Sequence, residues 1–279
     1  MIDLHVHTKF SDGNETLEQV LERAQALKMS AISITDHDTV AAYKKLQDPN
    51  IRKLFDGKIL VGIELSTVMD GMLVHIKGFE FDWEKLERLN PQRTVGMKEF
   101  AEFTKQETIR NFKRLGVKED FNSCKCLHEL GLAVIQSAPM LPFSLDLSSK
   151  TTDNKVSVLA WRYLYKPNNP LTVPIEKIFM PSQEAIDLIR SCGGKAVIAH
   201  PAQYFDSMDK VLDKLLSKVD GIEVFHWSAD SKLRDKLLKL CQENNLIMTG
   251  GTDFHACGKR DLNHEQIPEE MLKQFKKFI

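Results

Sequence analysis

The stretch MIDLHVHTKFSDGNETLEQVLERAQALKMSAISITDHD, residues 1–38, holds a strand, a helix and a second strand in succession. Residues 1–6 read as a short apolar strand. Residues 16–28 place Leu17, Val20, Leu21, Ala24 and Leu27 at helical spacing, and residues 31–35 form another strand. This is a βαβ opening, a unit that implies parallel pairing.

Working outward, Thr39 can cap a following helix. Residues 58–68 and 72–79 read as a strand pair turned at Asp70-Gly71. Alternation resumes with a helix at 183–191, a strand at 196–199, a helix at 211–216, a strand at 221–225, a helix at 232–243 and a strand at 246–249. The expected class is α/β with a parallel sheet, open or closed into a barrel. The middle of the chain departs from this pattern, with helical signals at 99–115, 121–130 and 156–165, a polar run at 148–154 and a breaker at 166–170. The expected organisation is therefore a barrel body from 1–95 and 174–279, interrupted by a helical insertion or cap at 96–173. Met271, Leu272, Phe275 and Phe278 mark the inward face of a final helix, with Lys273, Lys276 and Lys277 exposed.

Composition narrows the function classes. The chain has 279 residues, 42% hydrophobic, with 38 Lys and Arg against 39 Asp and Glu. A net charge of −1 gives no broad footprint for duplex nucleic acid, though a small anion or a strand end stays open as partner. No signal-like N-terminus and no apolar run of about 18 residues occurs, so no membrane association and a cytoplasmic location are expected. The five cysteines, Cys124, Cys126, Cys192, Cys241 and Cys257, are odd in number and scattered, which suits free thiols. Cys257, two residues past His255, is expected near the rim of the site.

Six of the nine histidines, His5, His7, His37, His75, His200 and His255, lie in short polar motifs with the carboxylates Asp12, Glu64 and Asp253. Imidazole suits zinc, iron and manganese, and carboxylates can bridge two ions, so the set reads as a metal cluster for hydrolysis. A lone strand-end histidine is ordinarily structural; here most candidates follow strands whose C-terminal ends converge on one face of a barrel. His128 and His264 lie outside the motifs. His226 also follows a strand and is a candidate to touch substrate or protonate the leaving group, the other source of that proton being metal-bound water. Lys9, Lys77, Lys259 and Arg260 adjoin the motifs and could hold a phosphate, although lysines beside loops are usually just solvated.

The motifs His5-Val6-His7 with Ser11-Asp12-Gly13, Thr35-Asp36-His37-Asp38, Gly62-Ile63-Glu64-Leu65-Ser66, Val74-His75-Ile76, Ala199-His200-Pro201 and Gly251-Thr252-Asp253-Phe254-His255 resemble, in order, those of the PHP (polymerase and histidinol phosphatase) superfamily. The likeness is strongest to its stand-alone, TrpH-like phosphoesterases. The resemblance implies a distorted (β/α)7 barrel holding two or three divalent ions, manganese, iron or zinc. It carries the ligand positions onto His5, His7, Asp12, His37, Glu64, His75, His200, Asp253 and His255, with Glu64 bridging. Glu64, His226 and Asp36 are the expected catalytic residues, Asp36 and Asp38 acting as acceptors that orient neighbouring histidines. The implied reaction is hydrolysis of a phosphomonoester of a small metabolite by a metal-bridging hydroxide, the substrate being a nucleotide or nucleoside 3′,5′-bisphosphate. A 5′-3′ exonuclease on short RNA or DNA is the second reading, and a catalytically inactive metal-binding regulatory protein the third. Members of this group often carry Gly-Arg-Pro-His in the insertion; here Ile135-Gln136-Ser137-Ala138-Pro139-Met140 stands nearest, without the arginine. Glutamine cannot replace that cationic fork, so Arg110, Arg114 and Arg162 become candidates for the lost phosphate contact.

Overall fold

A computed structural model describes residues 1–89, 96–148, 152–256, 261–262, 264–265 and 267–279. Strand β1, Ile2–Val6, is buried along its whole length. Helix α1, Leu17–Ala26, starts at Thr16, whose hydroxyl accepts from Gln19 N while Gln19 Oε1 accepts from Thr16 N, a capping box. Its buried face is Leu17, Val20, Leu21 and Ala24. Strand β2, Ala31–Ile34, then lies parallel to β1. Short helices α2, Ala41–Lys45, and α3, Pro49–Arg52, lead to β3, Lys58–Ile59, parallel to β2.

The single strand expected at 58–68 is two. The chain leaves the first sheet after β3 and enters a second one as β4, Gly62–Met69. Gly62 sits at the crossing, where a Cβ would lie 2.2 Å from Ser33 Oγ. Strand β5, Met72–Phe79, returns antiparallel to β4 through Asp70 (φ 51°) and Gly71 (φ 74°), the two positive φ angles of a tight primed turn.

Helices α4, Trp83–Leu89, α5, Met97–Arg114, α6, Leu127–Ser137, and α7, Thr152–Leu159, follow, with a π-helical turn at Ala160–Leu164. The helix expected at 121–130 begins only at Leu127, because Phe121 is used in a loop that packs edge-on against Phe112, centroids 4.9 Å apart. Phe100, Phe112, Phe121, Val134, Leu159 and Leu171 form a core of their own, joined to the body at Val68 and Leu73 near the β4–β5 turn.

The second half is regular. Strand β6, Met180–Pro181, is followed by α8, Ser182–Ser191, β7, Lys195–Ile198, α9, Met208–Leu215, β8, Gly221–Phe225, α10, Ser231–Glu243, and β9, Ile247–Gly250. The second sheet has the order β6-β4-β5-β7-β8-β9. Strands β7, β8 and β9 are mutually parallel, but β5 is antiparallel to both β4 and β7, so the sheet is mixed rather than wholly parallel. The two-residue turn dictates this, since a parallel return needs a long crossover. The fold is thus α/β, with two sheets that meet at single bridges, Val6 with Phe254 and His37 with Glu64.

The C-terminal α-helix expected from Met271, Leu272, Phe275 and Phe278 is a short 3-10 turn, Glu269–Gln274, followed by extended chain. Two backbone hydrogen bonds between Ile59 and Ile279 hold that end on β3. Met271 and Phe275 still point inward, joining Ile2, Leu4, Phe79 and Val197 in an apolar layer drawn from both sheets. Among the described residues no helix is long and apolar enough to cross a membrane. Cys124, Cys126, Cys192 and Cys241 are free thiols, and Cys257 lies outside the described residues.

Candidate metal centre

The site is built where strand ends meet. His7 N donates to Phe254 O at 2.9 Å and Phe254 N to His5 O at 3.2 Å, which lays residues 253–255 beside the end of β1. Asp253 Oδ1 is thereby 3.4 Å from His5 Nε2 and 3.3 Å from His7 Nε2. On the other side Asp38 N donates to Glu64 O at 2.9 Å, tying the end of β2 to β4.

Glu64 is the hub. Its Oε2 lies 3.0 Å from His5 Nε2, 3.2 Å from His7 Nε2 and 3.6 Å from His37 Nε2. Its Oε1 lies 3.2 Å from His75 Nδ1 and 3.0 Å from His200 Nε2. Asp12 sits 3.2 Å from His255, 3.5 Å from His7 and 3.9 Å from His37. Donor atoms of His5, His7, Glu64 and Asp253 all fall within 4.8 Å of one another, as do those of His7, Asp12, His37 and His255, and those of His37, Glu64 and His75. His200 joins through Glu64 and through His75, 3.3 Å away. The nine residues expected as ligands therefore converge.

The donors suit divalent ions. His7 Nε2 and His226 Nε2 are buried without a well-formed hydrogen bond and face carboxylate oxygens at 3.2–3.6 Å, an arrangement that cation ligation suits. Imidazole and carboxylate together match manganese, iron or zinc. The backbone is unusual at these strand ends: Asp38, His200 and Asp253 have φ of 57°, 26° and 54°. Non-glycine residues are held in that region only when their surroundings fix them.

The charges are strongly coupled. Burial opposes the cation at His5, but Glu223 and Glu64 outweigh it and raise the imidazole to about 10. His7 reaches about 10 against burial through Asp253 and Glu64, and His255 about 9 through Asp12. Burial also opposes ionisation of Asp12, Glu64 and Asp253, yet the surrounding histidines hold all three carboxyls well below their ordinary values. His37 goes the other way, lowered by burial to about 3.

His226 is where its strand-end position placed it, buried, with Nε2 3.6 Å from Asp253 Oδ2 and Nδ1 2.6 Å from Ser228 Oγ. Other expectations need correction. Asp36 and Asp38 do not hydrogen-bond neighbouring histidine rings. Asp36 accepts from Thr8 N (2.6 Å), Thr8 Oγ1 (2.7 Å) and Ser11 Oγ (2.7 Å), bracing the loop that carries Asp12. Asp38 accepts from Ser66 N at 2.8 Å. Lys77 is 0% exposed and its Nζ is bonded to Glu223, so it is neither solvated nor placed to hold a phosphate. Lys9 is exposed. Lys259 and Arg260 lie outside the described residues.

Arg110 pairs with Glu107, and Arg114 donates to Asn111 Oδ1 and Pro170 O. Arg162 lies over the Phe205 ring and 3.4 Å from Asp146. Within the helical middle of the chain it is Trp161, in the π-turn, that reaches the cluster, with ring centroids 5.2 Å from His75 and 5.7 Å from His200. Nothing in its local sequence marks Trp161. Glu223 was also missed, although a glutamate inside the apolar run Gly221-Ile222-Glu223-Val224-Phe225 is itself a signal of a buried, partnered charge.

Residues 3–139 match the family model of the PHP domain. The chain is similar to the 5′-3′ exoribonuclease Rnm of Escherichia coli strain K12, 28% identical over 263 residues, covering 91% of this chain and 84% of that protein. It is similar also to the 3′,5′-nucleoside bisphosphate phosphatase of Chromobacterium violaceum, 26% identical over 278 residues, covering 96% and 92%. Among solved structures it resembles an amidohydrolase from Chromobacterium violaceum with bound sulfate and no metal, with a TM-score of 0.68 at 22% identity over 97% of this chain and 92% of the other. The match to the PHP domain and the histidine–carboxylate cluster support a metal-dependent hydrolase.

Proposed function

We propose, from the premise that residues 3–139 are a PHP domain, that this chain removes a phosphate from a nucleotide or nucleoside 3′,5′-bisphosphate, using two or three divalent ions held by the nine converging residues. The observation that carries the reading is Glu64, one buried carboxylate within 3.0–3.6 Å of nitrogens from His5, His7, His37, His75 and His200. Such a hub can span neighbouring cations and keep them close. Bound ions would supply Lewis acidity, acidifying water and polarising the phosphoryl oxygens.

The chain's own residues do the rest. Asp12 and Asp253 would complete the ligand sets on either side of Glu64, and Asp36 supports them indirectly by fixing the loop that carries Asp12. Ser228 holds His226 through Nδ1 and leaves Nε2 toward Asp253, which suits His226 for contact with the leaving oxygen. In this reading the two sheets are parts of a distorted (β/α)7 barrel from residues 1–95 and 174–279, supported by the bridges and apolar layer that join them. Residues 96–173 are its cap, reaching the cluster through Trp161.

The similarity to an enzyme named 5′-3′ exoribonuclease supports a second reading, stepwise hydrolysis from the 5′ end of short RNA. Purified protein with manganese, offered nucleoside 3′,5′-bisphosphates and 5′-phosphorylated oligoribonucleotides, separates the two. Release of phosphate from the bisphosphates is expected, and Glu64→Gln should lower it by at least about 100-fold, the upper end of what outer-shell changes cost. Shortening of oligonucleotides without bisphosphate hydrolysis would favour the exonuclease. No hydrolysis of either with manganese, iron or zinc would overturn both.

A further inference from the structure

Glu223 and Lys77 are opposite charges with no exposed surface, on β8 and β5, and the chemistry above uses neither. Glu223 Oε1 lies 2.9 Å from His5 Nδ1, and Glu223 Oε2 accepts from the His200 backbone N at 2.8 Å. Lys77 Nζ donates to the same Oε1 and stands 3.3 Å from His5 Nδ1. One buried carboxylate thus touches two residues of the candidate ligand set from different strand ends.

We propose that Glu223, neutralised by Lys77, is a positioning residue that fixes the ring orientation and tautomer of His5 and the backbone of His200. This rests on the metal-dependent reading above. A carboxylate accepts, so its contact with His5 requires the proton on Nδ1. When a cation takes the place of the Nε2 proton that Glu64 and Asp253 would otherwise attract, 3.0 and 3.4 Å away, the Nε2 lone pair is the one left to hold it. Lys77 has no lone pair to offer when charged; its proximity to Nδ1 follows from sharing Oε1 as a common acceptor. Its role is to offset a negative charge that would otherwise be buried alone. A pair serving stability alone would need only Lys77 and Glu223. Here the remaining capacity of Glu223 is spent on His5, held by its ring, and on His200, held by backbone at a φ of 26°. Outer-shell carboxylates that orient ligating histidines commonly matter this way.

The test uses the full chain, stripped by chelation and titrated with manganese. Glu223→Gln keeps the shape but cannot satisfy His5, Lys77 and His200 N together. It should weaken binding of one ion by about 10–100-fold, with hydrolysis returning toward wild type as manganese is raised. Glu80→Gln, a buried carboxylate away from the cluster, should bind manganese as wild type does. A purely structural role for Glu223 predicts lost stability without rescue by metal. Should Glu223→Gln fail to fold, nitrogen-15 histidine NMR of zinc-loaded wild-type protein still decides: His5 should carry its proton on Nδ1. Wild-type manganese constants in Glu223→Gln, or a proton on His5 Nε2, would overturn the proposal. If wild-type protein itself binds no divalent ion, the metal-dependent reading fails first and takes this one with it, an outcome visible without any variant.

Discussion

At Gly251 a Cβ would stand 2.1 Å from His5 Cβ and 2.5 Å from His5 N. Only a hydrogen fits there, because β9 runs on beside β1 to bring Asp253 and His255 to the cluster. Gly251→Ala must push His5 away from Glu64 and Asp253. We expect a folded protein destabilised by about 1–3 kcal/mol, the usual range for overpacking, and depleted in bound metal. Thermal unfolding with elemental analysis checks this, and full metal content in the variant would show that His5 is not a ligand. At this scale the convergence of the nine candidates was legible, since each sits in a short polar motif just past or within an apolar run. Glu223 and Lys77 were not. Whether a strand charge is solvated or buried depends on which strand pairs beside it, and β5 meets β7 and β8 from over a hundred residues away.

Element boundaries show the same dependence on distant partners. An apolar run from 58 to 68 carries no mark of the point where it changes sheets, and Gly62 is explained only by the Ser33 and Thr35 side chains that approach it from β2 and its end. The final segment is clearer still. Its spacing suits a helix, but its polar groups find better partners elsewhere: the Gln274 side chain exchanges hydrogen bonds with Met248 N (2.8 Å) and O (2.9 Å), and Glu80 accepts from the backbone amides of Lys276 and Lys277 while pairing with Lys195 at 2.8 Å. Burial opposes ionisation of Glu80, but Lys195 and the two amides prevail and hold its carboxyl below the ordinary value. A lowered pKa means the native state favours the ionised form, so this stabilisation is present above the unfolded-state value and is lost as pH falls through the native one. Glu80→Gln should therefore cost about 1.5–3 kcal/mol at neutral pH, the range for hydrogen bonds to a charged group. The deficit should shrink in acid, and amide exchange should quicken in residues 269–279. An unchanged exchange pattern would show that Glu80 does not pin the tail.

For the whole molecule, the two sheets are joined where charge is densest. The bridges at Val6 with Phe254 and His37 with Glu64 lie within the histidine–carboxylate cluster, while the shared apolar layer of Leu4, Phe79, Val197 and Phe275 draws in the C-terminal segment. Hydrophobic burial and the hydrogen bonds of the C-terminal segment hold that layer. The cluster end must keep Glu64, Asp12 and Asp253 close to six histidines, an arrangement that bound cations would reinforce across the seam between the sheets. Ligands that bind only the folded chain stabilise it by mass action, about 2.7 kcal/mol for each ion at 100 times its dissociation constant. For a chain of this size that corresponds to roughly 5–10 °C in Tm. Chelation should therefore lower Tm by at least that amount, and manganese should restore it with a concentration dependence that follows binding. Because the stabilisation acts at the seam, amide exchange should change most in β1, β4 and residues 251–255, and little in α5 and α6, whose core is separate. Uniform protection across both regions would mean that the ions stabilise the chain without acting at the junction of the sheets.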